Sequence, residues 1–305
     1  MRYFTNQVWA LLLCCLCLFP AACQSVQATD QAARAADAEA SLAKKQAELA
    51  VAQRELEQNP NSEEKLIWYA RRLAYLERYD DAQQAYSRGL VTHPDSWRIL
   101  RHRGHRWITL RQFERAVDDL ERAWQLCKDL PDEVEPDGQP NAAGIPIGSY
   151  HSNVIYHLAL ARYLLGEWNA ANEVWERGRA SRSTNDDRLC SSAYWQQLAL
   201  TRAGRAEEAR AVLETTRKPM HVIENESYLL LCQLFYGDKS ADDVLRDIKP
   251  GTTEFATRGY GVACWKRQGG DRQGADDLLA QIVATGPRNA FGAIAAEADL
   301  KRGER

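Results

Sequence analysis

The sequence predicts an all-α protein, a superhelix of stacked helix-turn-helix pairs. Three observations carry that expectation. A pattern of small, large, small and Pro residues returns at near-constant intervals. Glycines fall where paired helices must turn. The composition, 27% charged and 45% apolar, can bury a core and fits neither a disordered chain nor a polytopic membrane protein. The net charge of −3 over 305 residues argues against a general nucleic-acid binder, which would be basic.

The elements follow in chain order. Arg2 precedes the apolar run Val8–Phe19, then Pro20-Ala21-Ala22-Cys23. A membrane-spanning helix needs about 20 apolar residues, so residues 1–22 read as a secretory signal peptide with small residues before the cut. Ala21-Ala22-Cys23 resembles the end of a bacterial lipobox, which implies Cys23 as the lipidated first residue; plain cleavage is the alternative. Gln24 after the Cys implies the outer membrane in such lipoproteins, and a multi-chain acyl anchor holds stably. Residues 23–61 then form the anchor and an Ala-rich stalk. Leu42, Leu49 and Leu56 are seven apart but separated by Ala and Lys, so a solvated helix is expected.

The period begins at residue 62 and runs to 288. Ala82, Tyr86, Gly89 and Pro94 set the pattern. Ala116, Leu120 and Ala123 repeat it 34 residues later. Ala171, Trp175 and Gly178 follow, then Ala209 with Leu213, Ala241 with Leu245, and Ala275, Leu279, Ile282 and Pro287. The first helix of each pair carries a small residue at Ala70, Gly104, Ala159 and Ala263. Gly166, Gly204 and Gly270 sit where a left-handed turn is needed. These residues resemble the tetratricopeptide repeat family, with five or six repeats. The resemblance implies a right-handed α-solenoid in which each pair buries its apolar face only by stacking on the next, leaving a concave groove. Residues 289–305 read as a capping helix and tail.

The interval from Ala116 to Ala171 is 55, or 34 plus 21. The excess is the insertion 130–149, with four acids, four Pro and three Gly. A loop of this length in a compact repeat is functional or disordered; Ile145-Pro146-Ile147 argues for packing. The order of signal, repeats, an atypical short repeat around Phe235–Ser240 and a capping helix is similar to NlpI-type outer-membrane lipoproteins. That resemblance implies an adaptor that docks envelope proteases and murein hydrolases.

In the repeat family one side of each first helix lines the groove. Counted from Glu63, Trp97 and Ser152, that side holds Arg71, Tyr75, Arg98, Arg101, His105, Asn153, Tyr156 and Tyr163, a basic face with aromatic walls. Guanidinium forks suit carboxylates, so this is the candidate partner site for an acidic protein segment. Two other readings stand beside it. Asp132, Glu133, Glu135 and Asp137 of the insertion fold over and pair with the same arginines, or the face is simply solvated. The family's carboxylate clamp carries Asn where this chain has Arg71, His105 and Leu160, so a clamp of that kind is not expected.

No metal and no cofactor is expected. His102 and His105 share a helix, but His102 is placed facing away from the groove and no acidic ligand sits at a fixed offset. No hydrolase, nucleotide-binding or metalloprotease motif is present, so no catalytic residue and no enzyme activity is assigned. Cys127, Cys190, Cys232 and Cys264 are far apart and read as small buried side chains, with a disulfide in an oxidising periplasm left open. Most of the nine Trp fall on packing positions. The expected function is a non-catalytic adaptor in the cell envelope, bound to protein partners and to the membrane through its anchor, without nucleic acid. A structural envelope-assembly component and a small-molecule or metal binder at the His/Arg cluster are the alternatives.

Overall fold

The computed structural model describes the backbone of residues 19–179 and 185–303, and the side chains of 35–178 and 185–303. The apolar leader before residue 19 and the Cys23 side chain lie outside the described residues. No described helix is long and apolar enough to cross a membrane.

The chain is all-α, a solenoid of helix pairs like the tetratricopeptide fold. A long helix, α1 (Phe19–Gln58), leads into six antiparallel pairs. They are α2 (Glu63–Tyr75) with α3 (Tyr79–Thr92), α4 (Trp97–Thr109) with α5 (Phe113–Cys127), and α6 (Tyr150–Leu165) with α7 (Trp168–Arg179). Next come α8 (Asp186–Arg202) with α9 (Ala206–Glu214), α10 (Glu226–Phe235) with the short α11 (Ala241–Leu245), and α12 (Thr253–Gln268) with α13 (Arg272–Thr285). α14 (Phe291–Arg302) closes the series.

Local chemistry explains the boundaries. Ser62, Ser96, Ser149, Asn185, Ser240 and Thr252 each precede a helix, and each side-chain oxygen accepts a backbone N–H of the first turn. That satisfies donors the helix itself cannot. The turn after α6 places Gly166 at φ +83, where a Cβ would be strained. The first two repeats turn instead on Glu77 and Arg111, also at positive φ, with no glycine to announce the turn.

The repeat residues do what their size demands. Ala82, Ala116, Ala171 and Ala275 are fully buried where a second helix crosses its partner, and Tyr86, Leu120, Trp175 and Leu279 fill the next turn. A Cβ at Gly104 would stand 2.6 Å from Leu120 Cγ, so only glycine lets α4 approach α5 this closely.

Two parts differ from the sequence reading. The stretch expected to be a solvated stalk is solvated only in part. Residues 35–44 are exposed, but Leu49 and Ala52 are buried against α2, and Glu48 and Glu55 pair with Arg72 (2.9 Å) and Lys65 (3.0 Å). Leu49 and Leu56 lie a heptad apart, so they share one stripe, and α2 offers Leu66 and Ala70 to cover it, while Leu42 one heptad earlier stays exposed.

The second difference is closure. α14 packs on α12 and α13 and also reaches the early repeats. Arg302 Nη2 donates to Leu164 O (2.6 Å), and Arg111 at the α4–α5 turn pairs with Glu297 (2.9 Å) and donates to Arg288 O (2.7 Å). A buried polar network fastens this closure. Asp299, 2% exposed, accepts from Arg202 and Tyr260 and pairs with Arg302, and Tyr260 OH bonds Tyr163 OH (2.7 Å). The concave side is therefore not an open trough along its whole length.

Candidate functional site

The basic face exists, and α2, α4 and α6 build it. Helix spacing places Arg98, Arg101 and His105 on one side of α4. Arg71 and Tyr75 stand on α2, and Asn153 and Tyr156 on α6. Arg98 lies over the Trp97 ring at 4.1 Å, and Arg71 over Trp68 at 4.4 Å. Stacking on flat rings holds the guanidiniums outstretched and preorganised.

The insertion 130–149 occupies this face. A short antiparallel bridge between Val134 and Ser149 pins its base, with Glu135 N donating to Gly148 O (3.2 Å) and Tyr150 N to Glu133 O (2.9 Å). From there the segment runs across the arginines like a bound peptide. Glu133 accepts from Arg98 Nη2 (2.7 Å). Glu135, 7% exposed, sits 2.8 Å from Arg101 Nε and accepts from Asn153 Nδ2 (2.9 Å). Arg71 Nη1 donates to Pro136 O (2.8 Å), and Arg72 Nη1 to Gly138 O (3.3 Å). Glycine at 138 lets the loop backbone lie against the Tyr75 hydroxyl, which a Cβ there would displace. The far end is tied by Asn141 Nδ2 to Glu224 (2.6 Å) and by Asn185 Nδ2 to Ile147 O (2.8 Å).

Of the loop acids, Glu133 and Glu135 pair with Arg98 and Arg101 of the basic face. Asp132 instead accepts from His151 N (3.1 Å) at the start of α6, and Asp137 accepts from Gln139 N (2.9 Å) in its own turn.

The remaining site residues fall in different places. His105 is partly buried; its ring meets His157 at 4.2 Å and Phe291 at 5.5 Å. Tyr156 OH pairs with Tyr228 OH (3.2 Å) beside a cavity of about 260 Å³, into which Asn153, His157 and Phe291 also project. Tyr163 is 1% exposed and bonded to Tyr260, so it lines no surface. The cause is closure: α14 and α12 cover the side of α6 that an open solenoid would expose. His102 departs from its expected place as well. It is 4% exposed, lies parallel to Tyr86 at 6.2 Å, and puts Nε2 3.8 Å from Glu135 Oε1.

Sequence reasoning did not place Arg106, Tyr228 or Phe291 at this site. Arg106 was legible in the basic run Arg101–Arg106. Tyr228 and Phe291 arrive by tertiary closure from more than 70 residues away and carry no local signal.

The electrostatics follow from burial. His102, His105 and His157 are held well below the ordinary imidazole range, first by burial and then by nearby charges, chiefly Arg101 and Arg106. All three are neutral at pH 7. His157 Nδ1 faces Asn153 O at 2.6 Å and so carries the proton, and His105 Nε2 faces Arg106 Nη2 at 2.6 Å and so accepts. Among the described residues there is no group of three or more His, Cys, Asp or Glu placed to hold a metal. The four described cysteines are free and buried. Burial pushes the Cys127 and Cys264 thiols up to about 11 and Cys232 to about 12, the reverse of a nucleophile's environment.

No protein-family model and no curated protein matches the chain. Among solved structures, its fold is similar to YrrB, described as a TPR protein with an unusual peptide-binding site, at 14% identity over 81% of this chain and 97% of that one, TM-score 0.43. It is also similar to the structure of Naa15/Naa10 bound to HypK-THB, at 14% identity over 82% of this chain and 36% of that one, TM-score 0.37. Both likenesses concern helical-repeat architecture alone.

Proposed function

We propose that this chain is a non-catalytic docking scaffold. It holds an acidic, extended protein segment against the basic face of α2, α4 and α6. One observation carries the reading: that face already holds such a segment, supplied by the chain itself. Two carboxylates, Glu133 and Glu135, and two backbone carbonyls, Pro136 and Gly138, are received by four arginines. Side-chain recognition and backbone recognition are both present, as an extended peptide requires. Arginine stacked on an aromatic ring is also the kind of anchor that dominates protein interfaces.

The export signal and Cys23 complete the proposal. A chain anchored by its first mature residue presents this scaffold to envelope proteins, with proteases and murein hydrolases as the partner class the sequence resemblance implies. A quantitative pull-down from solubilised envelope tests it, with wild type beside Arg98→Ala/Arg101→Ala/His105→Ala. We expect a saturable partner that the triple variant loses while its circular dichroism is unchanged. A partner retained by both proteins moves the interface elsewhere. The exposed residues 35–44 of α1 favour one specific alternative, an assembly role through that arm. Under that reading, removal of residues 24–44 abolishes capture and the groove variant is silent.

A further inference from the structure

Beneath the loop lies a second feature, which shares Arg71 and Arg101 with the docking face and adds Arg106 and His102. A cavity of about 110 Å³ is lined by Arg71, Tyr75, Arg101, His102, Arg106 and Glu135, among others. At roughly 30 Å³ per water, it holds a few waters or one small oxyanion.

Its charges do not balance. Three guanidiniums line it, and arginine does not give up its proton in a protein. Among the described residues lining the cavity, Glu135 is the single carboxylate. Arg101 stands 2.8 Å from it, but off the line of a hydrogen bond, so the Nε donor has no accepted partner. Among the described residues, Arg71 is bonded to neutral oxygens, those of Pro136 and Tyr75. Arg106 is partly buried, and among the described residues its polar contacts are the His105 ring nitrogen and the Tyr79 face. Arg72 nearby is matched by Glu48, and Arg111 by Glu297, so neither neighbour lends a carboxylate.

A further donor points into the same space. His102 Nδ1 lies 3.1 Å from Arg101 Nη1, and a guanidinium can only donate. The His102 proton is therefore on Nε2. That buried N–H has no hydrogen-bond partner. An unpaired buried donor is destabilising, and so is excess buried charge. Both deficits are met by one species: an anion with several acceptor oxygens.

We infer that this cavity is a binding site for a small free oxyanion of the inorganic phosphate class, held by Arg71, Arg101, Arg106 and the His102 Nε2–H. The loop segment around Glu135 forms its roof. Arg71 and Arg101 also serve the docking proposal, whereas Arg106 and the His102 Nε2–H do not, so a substitution at Arg106 tests this site apart from docking.

The test is calorimetric titration of the full chain with inorganic phosphate at pH 7.5, with ionic strength held constant by sodium chloride. We expect one phosphate per chain. Arg106→Gln should weaken binding at least tenfold. Glu135→Gln, which removes the competing negative charge, should strengthen it several-fold. Absence of saturable binding by the wild type overturns the proposal, as does wild-type affinity in Arg106→Gln. Should Arg106→Gln fail to fold by circular dichroism, Glu135→Gln decides: affinity no higher than wild type overturns the assignment.

Discussion

Replacing Glu135 by Ala separates the loop's two roles. In the native chain this carboxylate is buried between Arg101 and Asn153. Removing one partner of a buried pair costs about 3–5 kcal/mol when the surroundings cannot move. Here they can. The loop is a surface connection pinned by one β-bridge and a handful of polar contacts, so it can lift and let water reach Arg101. Global stability should then fall by much less than 3 kcal/mol, and the loss should appear as an open groove. If closure weakens by about 3 kcal/mol, an acidic peptide in trans gains roughly 100-fold in affinity, since about 1.4 kcal/mol is a factor of ten. The assay is fluorescence anisotropy with a labelled peptide copying residues 130–140, titrated with wild type, Glu135→Ala and Glu135→Ala/Arg101→Ala. The single variant should bind far more tightly than wild type, and the double variant should lose the gain. Raising salt should weaken every arm, because the contacts are charged. Equal affinity for wild type and Glu135→Ala would falsify the idea that the loop competes for the groove.

Two further outcomes test the framework around the site. His102, His105 and His157 have depressed pKa values, so the unfolded chain binds more protons than the folded one once the pH falls below about 6.5. Stability is therefore full above that pH and is lost as pH falls through it. If all three stay neutral when folded, the unfolding free energy should drop by about 4 kcal/mol from pH 7.5 to 5.5; urea melts at the two pH values measure it, and a flat result rejects neutral buried histidines. For Asp299, burial opposes the charge, but Arg202 and Tyr260 outweigh it and hold the carboxyl below the usual range. Asp299→Ala removes the buried carboxylate that Arg202, Tyr260 and Arg302 share and should destabilise by about 3–5 kcal/mol, with hydrogen exchange rising first in α14; a change under 1 kcal/mol by urea melt would show that closure does not depend on this network.

Much of the repeat was legible from local size and spacing. Ala82, Ala116, Ala171 and Ala275 are small because two helix backbones must cross there, and that requirement repeats with every pair. That Asp132, Glu133, Glu135 and Asp137 fold over and pair with the arginines was one of three open readings; Glu133 and Glu135 do so with Arg98 and Arg101, while Asp132 accepts from His151 N and Asp137 from Gln139 N. Arg71, Arg98 and Arg101 were legible as one basic face because helical spacing alone sets it. Tyr163 and His102 were misjudged for one reason: which side of a helix is exposed depends on what packs against it, not on its own sequence.

The sequence by itself determined the helical pairs, the glycine turns such as Gly166, the basic character of α2 and α4, and the place and length of the insertion. These are short-range properties, governed by side-chain volume, capping chemistry and periodicity within about one repeat. Only the tertiary structure decided that the insertion lies in the groove, that α14 returns to α6, and that three guanidiniums share one small cavity with a single carboxylate. The return of α14 depends on rotations summed over several repeats, and the other two on how the insertion packs across adjacent ones. A small change per pair becomes a large displacement at the far end, and no residue within one repeat records that sum.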